Sequence, residues 1–279
     1  MSERLRVESP APLMACLQLH LPGWRKSTLK ERLRAGAVTV NDEVVRRADH
    51  PLAAGDEVRV LDAGAPRGAA RSDLVVLFRD QDLVAIDKPA GLLAVSTGRE
   101  NSETALAKVR ALLGPKERLW PVNRLDRETS GVMLFARSHE MREATQANWK
   151  QTEKRYLAVV EGRLTTIAAV VDQPLWEDTG LNVRVGSGPG SRAARTRIAI
   201  ERVAARRTLL DVRLDTGRKH QIRVHLAWLG HPVVGDARYG QPDSRLGLHA
   251  FRLAVTHPRN GTRIELEAPV PAEFLALLR

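Results

Sequence analysis

The 279-residue chain carries 44 Lys and Arg against 33 Asp and Glu, a formal charge of +11, and 43% of it is hydrophobic. That apolar content excludes a largely disordered protein, the length suits two domains, and the lone Cys16 excludes an intramolecular disulfide or a thiolate metal cluster. No stretch reaches the roughly 18 to 20 apolar residues of a membrane span, and the N-terminus lacks a signal-peptide run, so a cytoplasmic protein with no membrane segment is expected. The positive charge favours a polyanionic partner, although 36 of the basic residues are arginine and a compositional bias toward arginine gives the same surplus.

In chain order, Ser27 is the expected N-cap of a helix over TLKERLRAG, with Gly36 as its stop. AVTVND then alternates like a strand into an Asn-Asp turn, and the Ala54-Gly55-Asp56 turn leads into a strand over EVRVL. The helix gathers Arg25, Lys26, Lys30, Arg32 and Arg34 around the single acid Glu31. Such a run is commonly a solvated face, but on so small a unit it also fits a footprint for nucleic acid. DAGAPRGAARSD (62–73) has no periodicity, which places a linker at 63–73 between domains of 1–62 and 74–279.

Beyond the linker, apolar strands are predicted over 74–78 and 83–87, the second ending in the Lys88-Pro89-Ala90-Gly91 turn. A helix over 102–114 takes Ser102 as N-cap and Gly114 as stop. A strand (131–136), a polar helix (139–151) and another strand (155–162) follow. RIAIERV and TLLDVRL form a hairpin around Ala204–Arg207, and 218–230 reads as a helix with Ile222, Leu226 and Leu229 on one face. This succession predicts an α+β fold with a mixed sheet, not the regular alternation of a doubly wound parallel sheet.

The chemistry concentrates in VNRLDRETSGVMLFA (122–136), where Arg124, Asp126, Arg127, Glu128, Thr129 and Ser130 crowd a turn that feeds an apolar strand. Asp126 is the natural nucleophile, since a carboxylate needs no base to charge it; equally, it caps the turn or pairs with Arg124, and spacing leaves both readings open. His220, His225 and His231, five and six residues apart, do not share a helical face as metal ligands, so no metal is expected. No phosphate-binding glycine loop is present, so no nucleotide cofactor is implied.

Asn123-Arg124-Leu125-Asp126 followed by Arg127-Glu128-Thr129-Ser130-Gly131 closely resembles the H-R-L-D-x-x-T-S-G signature of the RluA family of pseudouridine synthases. VAIDKPAGLLAV, EKRYLAVVEG, the Arg192–Thr196 stretch, LDTGRKHQIRVHLAWLGHPVVGDARYG and LHAFRLAVTHP are similar to further family segments in the same order. LKERLRAGAVTVNDEVVRRADHPLAAGDEVRV resembles an S-four-type RNA-binding domain.

The resemblance implies a mainly antiparallel catalytic domain of the pseudouridine synthase type, preceded by a small α/β RNA-binding domain. It implies a cofactor-free, monomeric enzyme that isomerises uridines in structured ribosomal or transfer RNA. In that reading Asp126 adds to the target uridine, Tyr156 stacks on its base, and Arg223 pairs with the aspartate. Arg124, Asn123, Arg218, His220, Gln221 and Arg195 then contact the substrate, with Lys30 and Arg34 touching RNA from the small domain. Eleven Arg and Lys against three acids between Arg184 and Arg223, with GSGPGSR as a flexible loop, supply a groove for an extruded base. Asn123 stands where the family's signature most often has His. It is the one feature favouring the alternative, a non-catalytic RNA-binding or ribosome-assembly protein that kept the fold.

Overall fold

The computed structural model describes residues 3–34, 37–41, 43–45, 47–60, 74–96, 103–114, 117–167 and 169–279. The chain divides into two compact units, Met1–Asp73 and Leu74–Arg279. The expected linker, the Ser102 cap and the Gly36 stop all lie outside the described residues.

The first unit contains β1 (Glu3–Arg6), β2 (Ala11–Pro12), α1 (Leu13–His20), α2 (Lys26–Arg34), β3 (Val38–Val40), β4 (Glu43–Val44), β5 (Pro51–Leu52) and β6 (Glu57–Val60). Its antiparallel sheet runs β1-β6-β3-β4. Leu13 and Leu17 of α1 and Leu29 and Leu33 of α2 form one core with Val38, Val58 and Val60 of the sheet. Helix α2 starts one residue before Ser27, with the Leu29 N–H bonded to the Arg25 carbonyl at 3.1 Å, so Ser27 lies inside the first turn and does not cap it.

The second unit contains β7 (Val75–Arg79), β8 (Leu83–Lys88), α3 (Ala105–Leu113), β9 (Trp120–Pro121), β10 (Ser130–Ala136), α4 (His139–Ala147) and β11 (Glu153–Glu161). There follow β12 (Val170–Asp172), β13 (Leu175–Glu177), β14 (Val183–Val185), β15 (Arg195–Val203), β16 (Arg207–Leu214), α5 (Gln221–Trp228), β17 (Leu248–Thr256), β18 (Arg263–Glu267) and α6 (Ala272–Leu275). The main sheet runs β12-β15-β16-β11-β17-β10-β8-β7, with β18 on β17 and β9 on β10. The β10–β17 pairing is parallel and the others described in this sheet are antiparallel, a mixed, mostly antiparallel α+β architecture.

Burial on both faces explains the unbroken apolar run of β10: Val132 and Leu134 pack with Met141 of α4, while Met133 and Phe135 pack with Val109 of α3. Thr104 caps α3, its Oγ1 accepting the Ala107 N–H at 3.1 Å. Helix α5 begins at Gln221, three residues later than its periodicity predicts. His220 takes φ +54°, and the Gln221 side chain folds back to accept the Arg218 N–H at 3.0 Å, so 218–220 form a braced turn. Ile222 and Leu226 then seat α5 on the sheet face formed by Ala158, Leu210, Val212 and Leu248.

Candidate active site

Asp126 lies in the turn between β9 and β10, which is pinned from several sides. Asn123 folds onto β10, its Oδ1 accepting the Leu134 N–H at 2.8 Å and its Nδ2 donating to the Val132 carbonyl at 3.4 Å. The Thr129 N–H donates to the Asp126 carbonyl at 3.2 Å. Fully buried Lys88 donates from Nζ to the carbonyls of Pro89, Leu92 and Arg127 at 2.9, 2.8 and 3.0 Å. Burial lowers the Lys88 pKa to about 8 against the opposing pull of Glu128, Asp126 and Asp87. Gly131 has φ +114°, and a Cβ there would sit 2.2 Å from the Ala250 carbonyl oxygen, so glycine alone lets β10 close on β17.

Helix α5 delivers Arg223 from the facing side. Its Nη1 donates to Asp126 Oδ2 at 3.0 Å, while Nε and Nη2 grip both oxygens of Asp236 at 2.7 and 2.8 Å. Asp236 also accepts the N–H groups of Arg238 and Tyr239 at 3.0 and 3.1 Å, so it is a fully bonded buried anchor. Burial alone would lower the Arg223 pKa, but hydrogen bonds and attraction from Asp236 and Asp126 outweigh it and hold the guanidinium above its ordinary range. In Asp236 burial pushes upward, and the bonds from Arg223 and the two N–H groups overcome it, leaving the acid below its ordinary range. The Asp126 side chain keeps 27% of its surface exposed, so of the two acids on Arg223 it is the one open to the cleft.

Tyr156 sits where the register of β11 with β17 shifts between Arg155 and Leu157, a bulge that re-aims a side chain toward the cleft. Burial, with the negative Asp126 adding to it, pushes its phenol pKa up, so the hydroxyl stays protonated at neutral pH. His220 places Nε2 3.8 Å from Asp126 Oδ2 and Nδ1 2.8 Å from the Tyr239 hydroxyl. Burial lowers the imidazole pKa; Asp126 opposes this, and Arg223, Arg238 and Lys219 reinforce it, so the ring is neutral. Since the Tyr239 oxygen accepts the Val183 N–H at 3.3 Å, its own proton suits His220 Nδ1, which leaves the Nε2–H facing Asp126.

Residues 82–228 match the RNA pseudouridylate synthase family. The chain is 34% identical over 282 residues to ribosomal large subunit pseudouridine synthase D of Nitrosomonas europaea, covering 93% of this chain and 81% of that one. It is also 34% identical to ribosomal large subunit pseudouridine synthase C of Escherichia coli, over 91% of this chain and 88% of the relative. The chain belongs to the RNA pseudouridylate synthase family. Its fold matches human RNA pseudouridylate synthase domain containing 4 with a TM-score of 0.60 and 26% identity, over 72% of this chain and 90% of that one. The protein is an RNA pseudouridine synthase, an isomerase that converts uridine to pseudouridine in RNA.

In this synthase Asp126, Tyr156 and Arg223 line one cleft with Arg124, Arg218, His220 and Gln221. Arg124 and Arg218 are exposed. Gln221 is occupied: Nε2 donates to the Arg195 carbonyl and Thr196 Oγ1, both at 3.0 Å, and Oε1 accepts the Thr216 hydroxyl at 2.8 Å, so it braces the turn. Asn123 braces the Asp126 turn from behind and is absent from the cleft lining. The Arg195 side chain lies outside the lining, near Asp172 at 3.7 Å and Asp215 at 3.5 Å. Lys30 is exposed on α2, and the Arg34 side chain lies outside the described residues.

The cationic surplus of 184–223 divides between the two faces of the sheet. Arg155, Arg213 and Arg197 lie in register across three strands on the face opposite Tyr156, where Arg155 pairs with Asp211 and Arg197 with Asp215 at 3.0 Å. Sequence reasoning singles out none of Lys88, Asp236 or Tyr239 as a site residue. The available signal is that a guanidinium buried beside a cleft needs a second, buried acid. Among the described residues no group of three or more His, Cys, Asp or Glu is placed to hold a metal ion, and no helix is long and apolar enough to cross a membrane.

Proposed function

We propose that Asp126 is the nucleophile of this synthase and that its substrate is a uridine of large-subunit ribosomal RNA, flipped out of its stack into the cleft. The observation that carries the reading is the 3.0 Å ion pair that holds Asp126 toward the cleft on a guanidinium anchored by Asp236. The carboxylate adds to the nucleotide as the C1′–N1 bond breaks, and the free uracil turns and rejoins C1′ through C5 as the bond to the carboxylate breaks and frees Asp126. The C5 hydrogen leaves as a proton and N1 gains one, so the isomerisation balances without an outside atom or cofactor. Tyr156, protonated and half-buried, offers a ring for the base to stack on. Exposed Arg124 and Arg218 suit the flanking phosphates. Relatives named for the large ribosomal subunit support the choice of RNA.

The first unit is read as an S-four-type RNA-binding domain that docks the RNA through α2, Lys30 and Arg34 included, and the enzyme acts as a cytoplasmic monomer. The test is pseudouridine mapping on an unmodified large-subunit ribosomal RNA transcript. The wild type is expected to modify it, and Asp126→Ala to form no pseudouridine while still binding the transcript. An active Asp126→Ala variant overturns the nucleophile, and an inert wild type overturns the choice of RNA.

A further inference from the structure

The buried polar groups around the Asp126 turn are bonded, with one exception. Asn123 spends both ends of its amide on β10, and Lys88 fills three carbonyls. Ser130 Oγ lies 2.9 Å from His249 Nδ1 and accepts Arg245 Nη2 at 2.9 Å. Thr129, next to Ser130, is 2% exposed, and its Oγ1 has no hydrogen-bond partner among the described residues. Arg252 Nε shares that condition, but Arg252 still donates from Nη2 to Glu265 at 2.7 Å. Thr129 is therefore, among the described residues, the one side chain whose only polar atom is both sealed and unbonded. A buried hydroxyl without a partner costs stability, and a native fold keeps such a cost where the group has a use.

The hydroxyl stands beside the reacting acid. The Thr129 N–H donates to the Asp126 carbonyl at 3.2 Å, which closes a four-residue turn. Such a turn keeps the Cα atoms of its first and last residues within about 7 Å, a gap that a carboxylate and a hydroxyl bridge by rotating about χ1. Both residues line the same cleft. Asp126 also has an oxygen to spare. Its Oδ2 takes Arg223 Nη1 at 3.0 Å, with His220 Nε2 at 3.8 Å, while Oδ1 accepts no hydrogen bond among the described residues. Because Thr129 is closed to solvent, the partner it lacks is a group of the cleft wall itself. Asp126 is the member of that wall that must turn in order to react.

We propose that Thr129 is a positioning residue whose hydroxyl holds the Asp126 carboxyl group when that side chain turns from Arg223 to the nucleotide. The inference rests on the reading of Asp126 as the nucleophile. At rest, Arg223 holds Oδ2 and the hydroxyl is idle. As Asp126 adds to the nucleotide, the Thr129 O–H donates to the carboxyl oxygen left out of the new bond. One hydrogen bond to the guanidinium is thus exchanged for one to the hydroxyl. When the adduct breaks, the carboxylate returns to Arg223. A donor set in place before the reaction needs no rearrangement when its acceptor arrives. The hydroxyl therefore serves the rate and contributes nothing to the resting fold.

Steady-state kinetics on an RNA that the wild type modifies, paired with thermal melts, test this. Thr129→Val keeps the shape of the side chain and removes the hydroxyl. It is expected to cut kcat about tenfold with KM unchanged. It is also expected to melt at or above the wild-type temperature, because an unbonded buried hydroxyl has gone. Thr129→Ser restores the O–H and is expected to recover the rate. If the valine variant does not fold, Thr129→Ala takes its place, and the split between kcat and KM and the serine rescue decide. An unchanged kcat, a slow serine variant, or a valine variant that is slow and melts lower overturns the role of Thr129 alone. A rise in KM without a fall in kcat does the same, since it gives the hydroxyl to the bound RNA. An Asp126→Ala variant that still forms pseudouridine overturns the nucleophile, and the role of Thr129 with it.

Discussion

Arg223 holds two carboxylates of unequal exposure, and the inequality assigns their tasks. Asp236, gripped by two guanidinium nitrogens and two N–H groups, fixes the direction in which the third nitrogen points; Asp126 receives that nitrogen and faces the cleft. Replacing Asp236 by Asn swaps one accepting oxygen for an amide that repels the guanidinium and leaves a buried cation short of charge, a change of about 3 to 5 kcal/mol. Asp236→Asn is therefore expected to lower the denaturation midpoint and to cut kcat at least tenfold with little change in KM, as read by thermal melts and steady-state kinetics. Only the family resemblance, not spacing, singled out Asp126, Tyr156 and Arg223 together, and the structure brings the three into one cleft. Asp236 was not singled out, because its role arises only when the turn after α5 brings it beneath Arg223. Asn123 likewise reads as a substrate contact until its two bonds to β10 show it gripping the backbone.

Strand β10 carries the Asp126 turn and β17 flanks Tyr156, and one buried pair joins them where they run parallel. Ser130 and His249 are register partners, with Ser130 Oγ 2.9 Å from His249 Nδ1 and His249 Nε2 3.4 Å from the Ala268 carbonyl. Burial is the chief cause that takes the His249 pKa down to about 4; the nearby Arg245 adds to it, and the bond to Ala268 opposes it. Between about pH 4 and 6.5 the unfolded chain therefore binds a proton that the folded one refuses, so stability rises with pH through that window and falls on acidification. The loss amounts to about 3 kcal/mol by the lower end of the window. Urea unfolding at pH 7.5 and 4.5 should show it in the wild type, and the extra acid loss should vanish in His249→Asn, which cannot titrate.

Most strands of this sheet were legible from runs of apolar or alternating residues, as in 83–87 and 131–136. The short strands β12, β13 and β14 were not, because three residues each, interrupted by Pro174 and Gly180, offer no period to read. The start of α5 was misplaced for a different reason: Arg218, Lys219 and His220 extend a helical pattern that a left-handed residue and a folded-back glutamine interrupt.

Across the whole molecule, the two-unit division coincides with a compositional change that any reader of the sequence meets at residues 62–73. The net charge was a poorer guide, since Arg155 and Arg197 sit in ion pairs on the face away from Tyr156. What the surplus does for RNA is measurable as a salt slope. Lys30→Ala removes an exposed cation from α2 and is expected to weaken RNA binding and reduce the log–log salt slope by about one, with single-turnover chemistry at saturating enzyme unchanged. Filter binding across ionic strengths checks it, and an unaltered slope removes α2 from the RNA surface.

The parallel seam between β10 and β17 has a consequence for the birth of the enzyme. Ser130 and His249 stand 119 positions apart, so the frame behind the Asp126 turn waits on a segment translated long after it. Such distant pairings close slowly. A polypeptide interrupted before Ala250 carries Asp126, Tyr156 and Arg223 but lacks most of β17, the strand that stands between β10 and β11 in the sheet.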